Sequence, residues 1–237
     1  LLARFACQAK DQKRWMHVML GWSLLWWFAT GWREIDLFIV DQKNALVAAL
    51  VHWAVTVLVL EAAGVVLRWQ DARRVTGWLN LLLLGGLIHA WGVWGHALVG
   101  IAGWAWLLAL TVSWLLRWRQ DALAGIASTF MHPLLFGLTL AILASEAVWR
   151  AQEMLALSRH GQYLFALPVF ALASLFCQRW PRWPVTSWPQ LYAVTIALPI
   201  ACLTLLGSVW VSLTVAGNIA STTYFPLFSV FDSVQLL

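Results

Sequence analysis

Charge is what this chain has least of. Only 11% of its 237 residues are Asp, Glu, Lys or Arg, against roughly 25% in an average soluble domain. So few ions cannot coat a water-facing surface, which excludes an ordinary soluble globular protein. Cysteine is scarce too: Cys7, Cys177 and Cys202 are too scattered for a disulfide framework or a paired metal motif. Cys177 and Cys202 fall in or beside apolar runs, where a thiol behaves as a small hydrophobe. A GxGxxG turn, a P-loop, an HExxH helix, a CxxC pair and a GxSxG elbow are all missing. With them go the usual sequence signatures of nucleotide, metal and nucleophile chemistry. No metal and no cofactor is expected, and the short loops leave no room for a soluble catalytic domain.

What is present is apolar length. Hydrophobic residues make up 62% of the chain and the mean hydropathy is +0.77. A bilayer core of roughly 30 Å is crossed by about 20 helical residues. Seven such stretches can be placed, at about 15–31, 44–67, 76–93, 97–116, 125–149, 162–177 and 191–215. The expected fold class is all-α, a polytopic transmembrane helical bundle of about seven spans, forming a single membrane-embedded domain over residues 1–237. Residues 76–116 carry no charge, too long a run for one helix and right for two. Gly92-Val93-Trp94-Gly95 is the natural hairpin between them, because glycine frees the backbone. Pro168 makes the sixth span the hardest to bound. Pro199 should kink the seventh unless a neighbour re-satisfies the freed carbonyl. The first apolar run is Trp-rich and followed by many others, so it reads as a retained span and not a cleaved signal. A start at Leu1 and an end on Val234-Gln235-Leu236-Leu237 read as a piece of a longer protein.

The net charge of +5 comes from short basic clusters between apolar runs, a pattern of membrane orientation with no nucleic-acid patch in it. Eleven of the 15 Lys and Arg residues lie in the N-terminal segment, in Arg68/Arg73/Arg74, in Arg117/Arg119 and in Arg179/Arg182. The opposite set holds Arg33, Lys43, Arg150 and Arg159. The positive-inside rule puts the first set, and the N-terminus, in the cytoplasm. Many of the 19 tryptophans, among them Trp15, Trp32, Trp69, Trp78, Trp91, Trp94, Trp149, Trp180, Trp183 and Trp188, fall at expected span ends. An indole, apolar with one N–H, prefers that depth. Gly137, Ala141 and Ser145 recur at every fourth position, as do Gly86 and Ala90, which lets helices approach closely and reads as bundle packing.

A few polar residues within the apolar runs are candidates for function. Glu61 lies about two turns inside the second span, where a charge costs about 2.5–3.5 kcal/mol at mid-bilayer. A stretched ion pair with Arg68 is its plain structural reading, and a proton-coupling group of a secondary transporter its functional one. Glu146 is followed by Arg150 at the favourable i, i+4 spacing, which reads as a structural pair. His52, His89 and His132 lie in or near apolar runs; His52 and His89, in adjacent spans, could be paired haem ligands, but no paired pattern repeats, and satisfied core histidines are the better reading for all three. Glu34 and Asp36, in the expected first external loop, could serve as an acidic pair in a lipid-linked transferase. Such a run is more often a solvated helix end. The echo of Ala166-Leu167-Pro168-Val169 in Ala197-Leu198-Pro199-Ile200 would mark a transporter site only in corresponding halves, and in a Leu/Ala-rich chain it reads as coincidence.

Trp26-Trp27-Phe28-Ala29-Thr30-Gly31-Trp32-Arg33-Glu34-Ile35 resembles a recurring segment of a family of large bacterial membrane proteins, catalogued as domain of unknown function 2339. Tyr224-Phe225-Pro226-Leu227 with Asp232 and Gln235 is similar to that family's C-terminal segment, although Ser229 and Val230 replace its usual Asn-Pro. His52-Trp53 and the proline-bearing sixth and seventh spans are similar too. The resemblance implies a bacterial inner-membrane location, further spans on both sides, and a role for Gly31, Arg33 and Glu34. It implies no reaction. From the many spans, the short loops and the missing cofactor signatures, the expected function is non-enzymatic: handling, transporting or scaffolding an envelope lipid or glycan. Membrane lipids and such a ligand are the expected partners, and no protein partner is named. A transferase or a proton-coupled transporter is the alternative.

Overall fold

A computed structural model describes residues 2–121, 126–155 and 161–214. Every regular element among the described residues is helical. In chain order the α-helices are α1 (Leu2–Phe38), α2 (Gln42–Val66), α3 (Gln70–Trp78), α4 (Asn80–Trp94), α5 (Ala102–Gln120), α6 (Ile126–Leu155), α7 (Ala166–Arg179) and α8 (Leu198–Thr214). A 3-10 turn, Gly161–Phe165, leads into α7, and a π-helical stretch, Leu191–Ala197, leads into α8.

The all-α expectation holds. Among the described residues, four helical stretches are long and apolar enough to cross a membrane: Gln42–Val66, Gln70–Trp94, Thr129–Met154 and Leu191–Trp210. Tyr163–Arg179 is apolar but shorter. The first and fourth expected spans lie on α1 and α5, which carry Trp15, Trp22, Trp26, Trp27 and Trp32, and Trp104, Trp106, Trp114 and Trp118, respectively. The indole N–H donors, together with the charged residues at the ends of these helices, such as Arg33 and Glu34 on α1 and Arg117 and Arg119 on α5, lower their hydropathy. Leucines and valines such as Leu58, Val59, Leu107, Leu143 and Leu205 are exposed, the surface a helix offers to lipid.

The ends of the elements follow local chemistry. Asp41 caps α2 by accepting from the Lys43 N–H. At the other end Arg68 adopts φ 53, and its N–H bonds to the Val65 carbonyl while Trp69 N–H bonds to Gly64. That is a Schellman closure with arginine in the left-handed position that usually takes glycine. The chain turns after α4 where glycine was expected to free it: the helix ends at Trp94 and Gly95 adopts φ 78. Pro168 falls in the first turn of α7, where a missing N–H costs nothing. Pro199 falls at the start of α8, just after the π-helical stretch, whose wider turns relieve the clash of its ring with the preceding carbonyls.

The chain divides into two compact units. Unit 1 comprises residues 1–79 and 100–112. In it α1 packs on α2 and α2 on α3, with Leu50, Trp53, Ala54 and Val57 buried. The Trp53 indole donates to the Leu79 carbonyl at 2.8 Å. Unit 2 comprises residues 80–99 and 113–237. There α6 packs on α4 and α7, and α7 on α8. The centre is an apolar cluster of Leu140, Cys177, Val185, Leu191, Tyr192 and Ile196.

Candidate functional site

The most elaborate polar arrangement lies in unit 2, where the end of α5 meets α6. Arg117 and Asp121 are four residues apart, so they share a helix face, and Arg117 Nε donates to Asp121 Oδ1 at 3.2 Å. The same carboxylate oxygen lies 3.0 Å from His132 Nε2, and the other accepts from the Trp183 indole. On the far side of the ring, His132 Nδ1 is 3.1 Å from the Tyr192 hydroxyl. These partners set the tautomer. An ionised carboxylate only accepts, so Nε2 carries the hydrogen; Nδ1 of the neutral ring is then the acceptor, and Tyr192 donates.

His132 and Tyr192 are 0% exposed. Around the imidazole stand Trp114, Trp183, Trp188 and Tyr192, with ring centroids 5.6 to 6.3 Å away. Trp114 in turn donates to Thr139 at 3.3 Å. Burial pushes the Asp121 carboxyl up, but hydrogen bonds from Trp183 and His132 and the positive charge of Arg117 outweigh it and hold it below its ordinary value.

Against this network lies a cavity of about 630 Å³. Its wall includes Trp114, Phe136, Thr139, Leu172, Ala173 and Trp183, almost wholly apolar. Trp114 and Trp183 therefore serve two structures at once. Their N–H groups are tied to Thr139 and Asp121, and their rings form cavity wall. The imidazole and the phenol are sealed off, so the relay presents no nucleophile to a ligand. What it does is hold two indoles in place around an apolar chamber.

The residues expected from sequence fall in different places. Of the three histidines read as satisfied core residues, His132 is buried and bonded through both ring nitrogens, whereas His52 leaves its buried Nε2 without a hydrogen-bond partner among the described residues and His89 is exposed. Glu146 makes the expected bond with Arg150, Nε to Oε1 at 2.8 Å. Its other oxygen lies 2.9 Å from His96 Nδ1, and the His96 ring stacks on Trp149 at 4.3 Å. Glu61 is buried and ion-paired, but with a different arginine. Arg73 reaches Oε1 with Nη2 at 2.8 Å and Nε at 2.9 Å. The left-handed turn at Arg68 redirects the chain, and α3 brings Arg73 back over α2; Gly64 leaves room, since a Cβ there would overlap Arg73 Cγ. His52 stacks on Trp27 at 5.3 Å and meets the edge of Phe28. Gly31 seats that ring, because a Cβ at Gly31 would lie 2.6 Å from His52 Nε2. His89, in unit 2 and exposed, meets Trp94 edge-on.

Arg33, Glu34 and Asp36 are exposed and lie on α1, which continues to Phe38 where a loop was expected. Residues two apart on a helix point to different sides, so Glu34 and Asp36 do not converge as an acidic pair. No group of three or more His, Cys, Asp or Glu side chains suited to a metal occurs among the described residues. Arg159 and the string from Tyr224 to Gln235 lie outside the described residues.

Sequence reasoning did not single out Asp121, Trp114, Tyr192, His96 or Arg73 as site residues. The i, i+4 spacing of Arg117 and Asp121 was a usable signal. Trp183 and Tyr192 lie 62 and 60 residues from their partners, and nothing local announces such pairs. The chain matches no protein-family model, no curated protein and no solved structure, so the chemistry of the cavity wall is the guide to what it holds.

Proposed function

We propose that this chain is a multi-pass protein of the bacterial inner membrane, related to the family catalogued as domain of unknown function 2339, that handles an envelope lipid or glycan without transforming it. The observation that carries this reading is the apolar cavity of about 630 Å³ walled by Trp114 and Trp183, within the 300–1,000 Å³ range of small-molecule sites. An acyl or prenyl chain is the ligand such a wall accepts: it offers apolar area and asks for no hydrogen bond. The buried relay behind the wall keeps both indoles from collapsing into the empty space. Four apolar helices and the split of eleven against four basic residues support a membrane location with the N-terminal segment on the cytoplasmic side. Neither alternative draws comparable support. Glu34 and Asp36 do not face each other, and Glu61 is engaged by Arg73.

The test is extraction into native lipid discs, followed by mass spectrometry of what stays bound. An envelope amphiphile enriched over bulk lipid is expected with the wild-type protein, and its loss is expected with Ala173→Phe, which fills the cavity. Equal enrichment in both proteins overturns the reading.

A further inference from the structure

The cavity walled by Trp114 and Trp183 is apolar, but the surface at one of its ends is not. On α7 the wall residues are Val169, Leu172, Ala173 and Phe176, the three- and four-residue spacing of a single helix face. Arg179 follows Phe176 by three residues and Leu172 by seven, so that face continues past the wall onto an arginine. At the same end the chain leaves α7 and returns Trp183 and Pro184 to the wall. Arg182 stands directly before them.

Neither arginine is neutralised. Arg179 and Arg182 are exposed and make no hydrogen bond or ion pair among the described residues. The sequence has no Asp or Glu from residue 154 to residue 231. The carboxylate that this loop does meet is Asp121, through Trp183, and Arg117 already matches its charge. An arginine that serves only to orient a helix can stand anywhere around its interfacial end. These two stand beside the end of an apolar slot. A bare alkyl chain fills such a slot and makes no use of them. A lipid's head group, by contrast, sits just outside the slot that takes its chain. There the planar guanidinium fork matches a phosphate with paired N–H donors, and a cationic head meets the wrong sign.

We propose that the amphiphile held by this cavity is anionic, a lipid whose phosphate lies against Arg179 and Arg182 while its chain lies along α6 and α7. This rests on the reading of the cavity as a lipid-chain site and adds to it the class of head group and the direction in which the lipid lies.

The experiment is a titration of the purified protein in maltoside micelles, read by native mass spectrometry, with oleoyl lysophosphatidic acid and with monoolein. The two share a chain and differ in the charge of the head. Both should bind saturably, the phosphate lipid about tenfold or more tighter, in line with about fivefold for each basic residue beside an anionic group. Arg179→Gln combined with Arg182→Gln should bring the phosphate lipid down to the level of monoolein. Arg119→Gln should keep the preference, because Arg119 is exposed at the same end of the unit but five residues beyond Trp114, on another side of α5. Ala173→Phe should lose both lipids. Thermal unfolding checks each variant, and the arginine changes, at exposed positions, serve if Ala173→Phe does not fold. Equal binding of the two lipids, both lost in Ala173→Phe, overturns this proposal and leaves the lipid-chain site standing. An equal fall in Arg119→Gln also overturns it, since the attraction is then a general one of the surface. Saturable binding of inorganic phosphate alone, in place of the lipid, overturns it as well. Retention of both lipids in a folded Ala173→Phe protein overturns the reading of the cavity itself.

Discussion

A buried charge is only as stable as its partner, and two residues here make that measurable. Asp121 accepts from Arg117, His132 and Trp183, and its folded pKa lies below its ordinary value. The ionised form therefore stabilises the fold fully above the unfolded carboxylate pKa of about 3.9, and that contribution is lost as pH falls through the folded pKa. Thermal unfolding in detergent should show a midpoint that is level down to about pH 4 and then drops. Asp121→Asn should lose about 1.5–3 kcal/mol at neutral pH, the range for hydrogen bonds to a charged group, and show a shallower acid drop. A variant with the wild-type acid profile would remove Asp121 from the account. Arg73→Met leaves Glu61 buried with its main counter-charge gone. The expected loss is at the lower end of about 3–5 kcal/mol, because the Arg73 side chain keeps 19% of its exposure. Adding Glu61→Leu should recover most of it, and a double variant no better than the single would show that the pair is not coupled. At this scale the sequence was half legible. Glu61 was visible as a charge needing a partner, and Glu146 named its own four residues on. The true partner of Glu61 depended on a left-handed turn at an arginine, which no pattern of apolar residues announces.

Helices were read well from their apolar content, and their ends less well. The first expected loop is the last turn and a half of α1, since Arg33-Glu34-Ile35-Asp36 contains neither glycine nor proline to stop it. The turn at Gly95 followed directly from what glycine can do, whereas Pro168, read as lying inside a span that it made hard to bound, sits in the first turn of α7. Pro199 disturbed its span as expected, but through the π-helical stretch before it, and Tyr192 within that stretch bonds His132. A widened turn re-aims the side chains it carries, and here it carries the phenol that completes the relay. Arg68 offers a direct test of an element end. An L side chain in the left-handed region costs about 1 kcal/mol relative to glycine, so Arg68→Gly should stabilise the protein by roughly 0.5–1 kcal/mol. Chemical denaturation of the two proteins in the same micelle would show it, and a destabilised variant would mean that the Arg68 side chain holds something the turn alone does not.

For the molecule as a whole, the proposed topology predicts which loops face which compartment. In a background with Cys7, Cys177 and Cys202 replaced by alanine, Gln70→Cys and Thr186→Cys should react with an impermeant maleimide only after the membrane is opened, and Lys43→Cys should react in intact cells. The reverse pattern would invert the proposed orientation. Composition alone was enough to say that the chain is helical and apolar. The cavity was not legible, because a cavity is a property of what several distant helices fail to fill. The division into units carries a consequence for synthesis. Unit 1 includes residues 100–112, and unit 2 begins at residue 80. A ribosome that has delivered α1, α2 and α3 has therefore not yet delivered unit 1, and α4 must be accommodated while that unit is still short of the first half of α5. Neither unit is a separable stretch of message, so a nascent chain halted between residues 80 and 99 holds two unfinished structures at once.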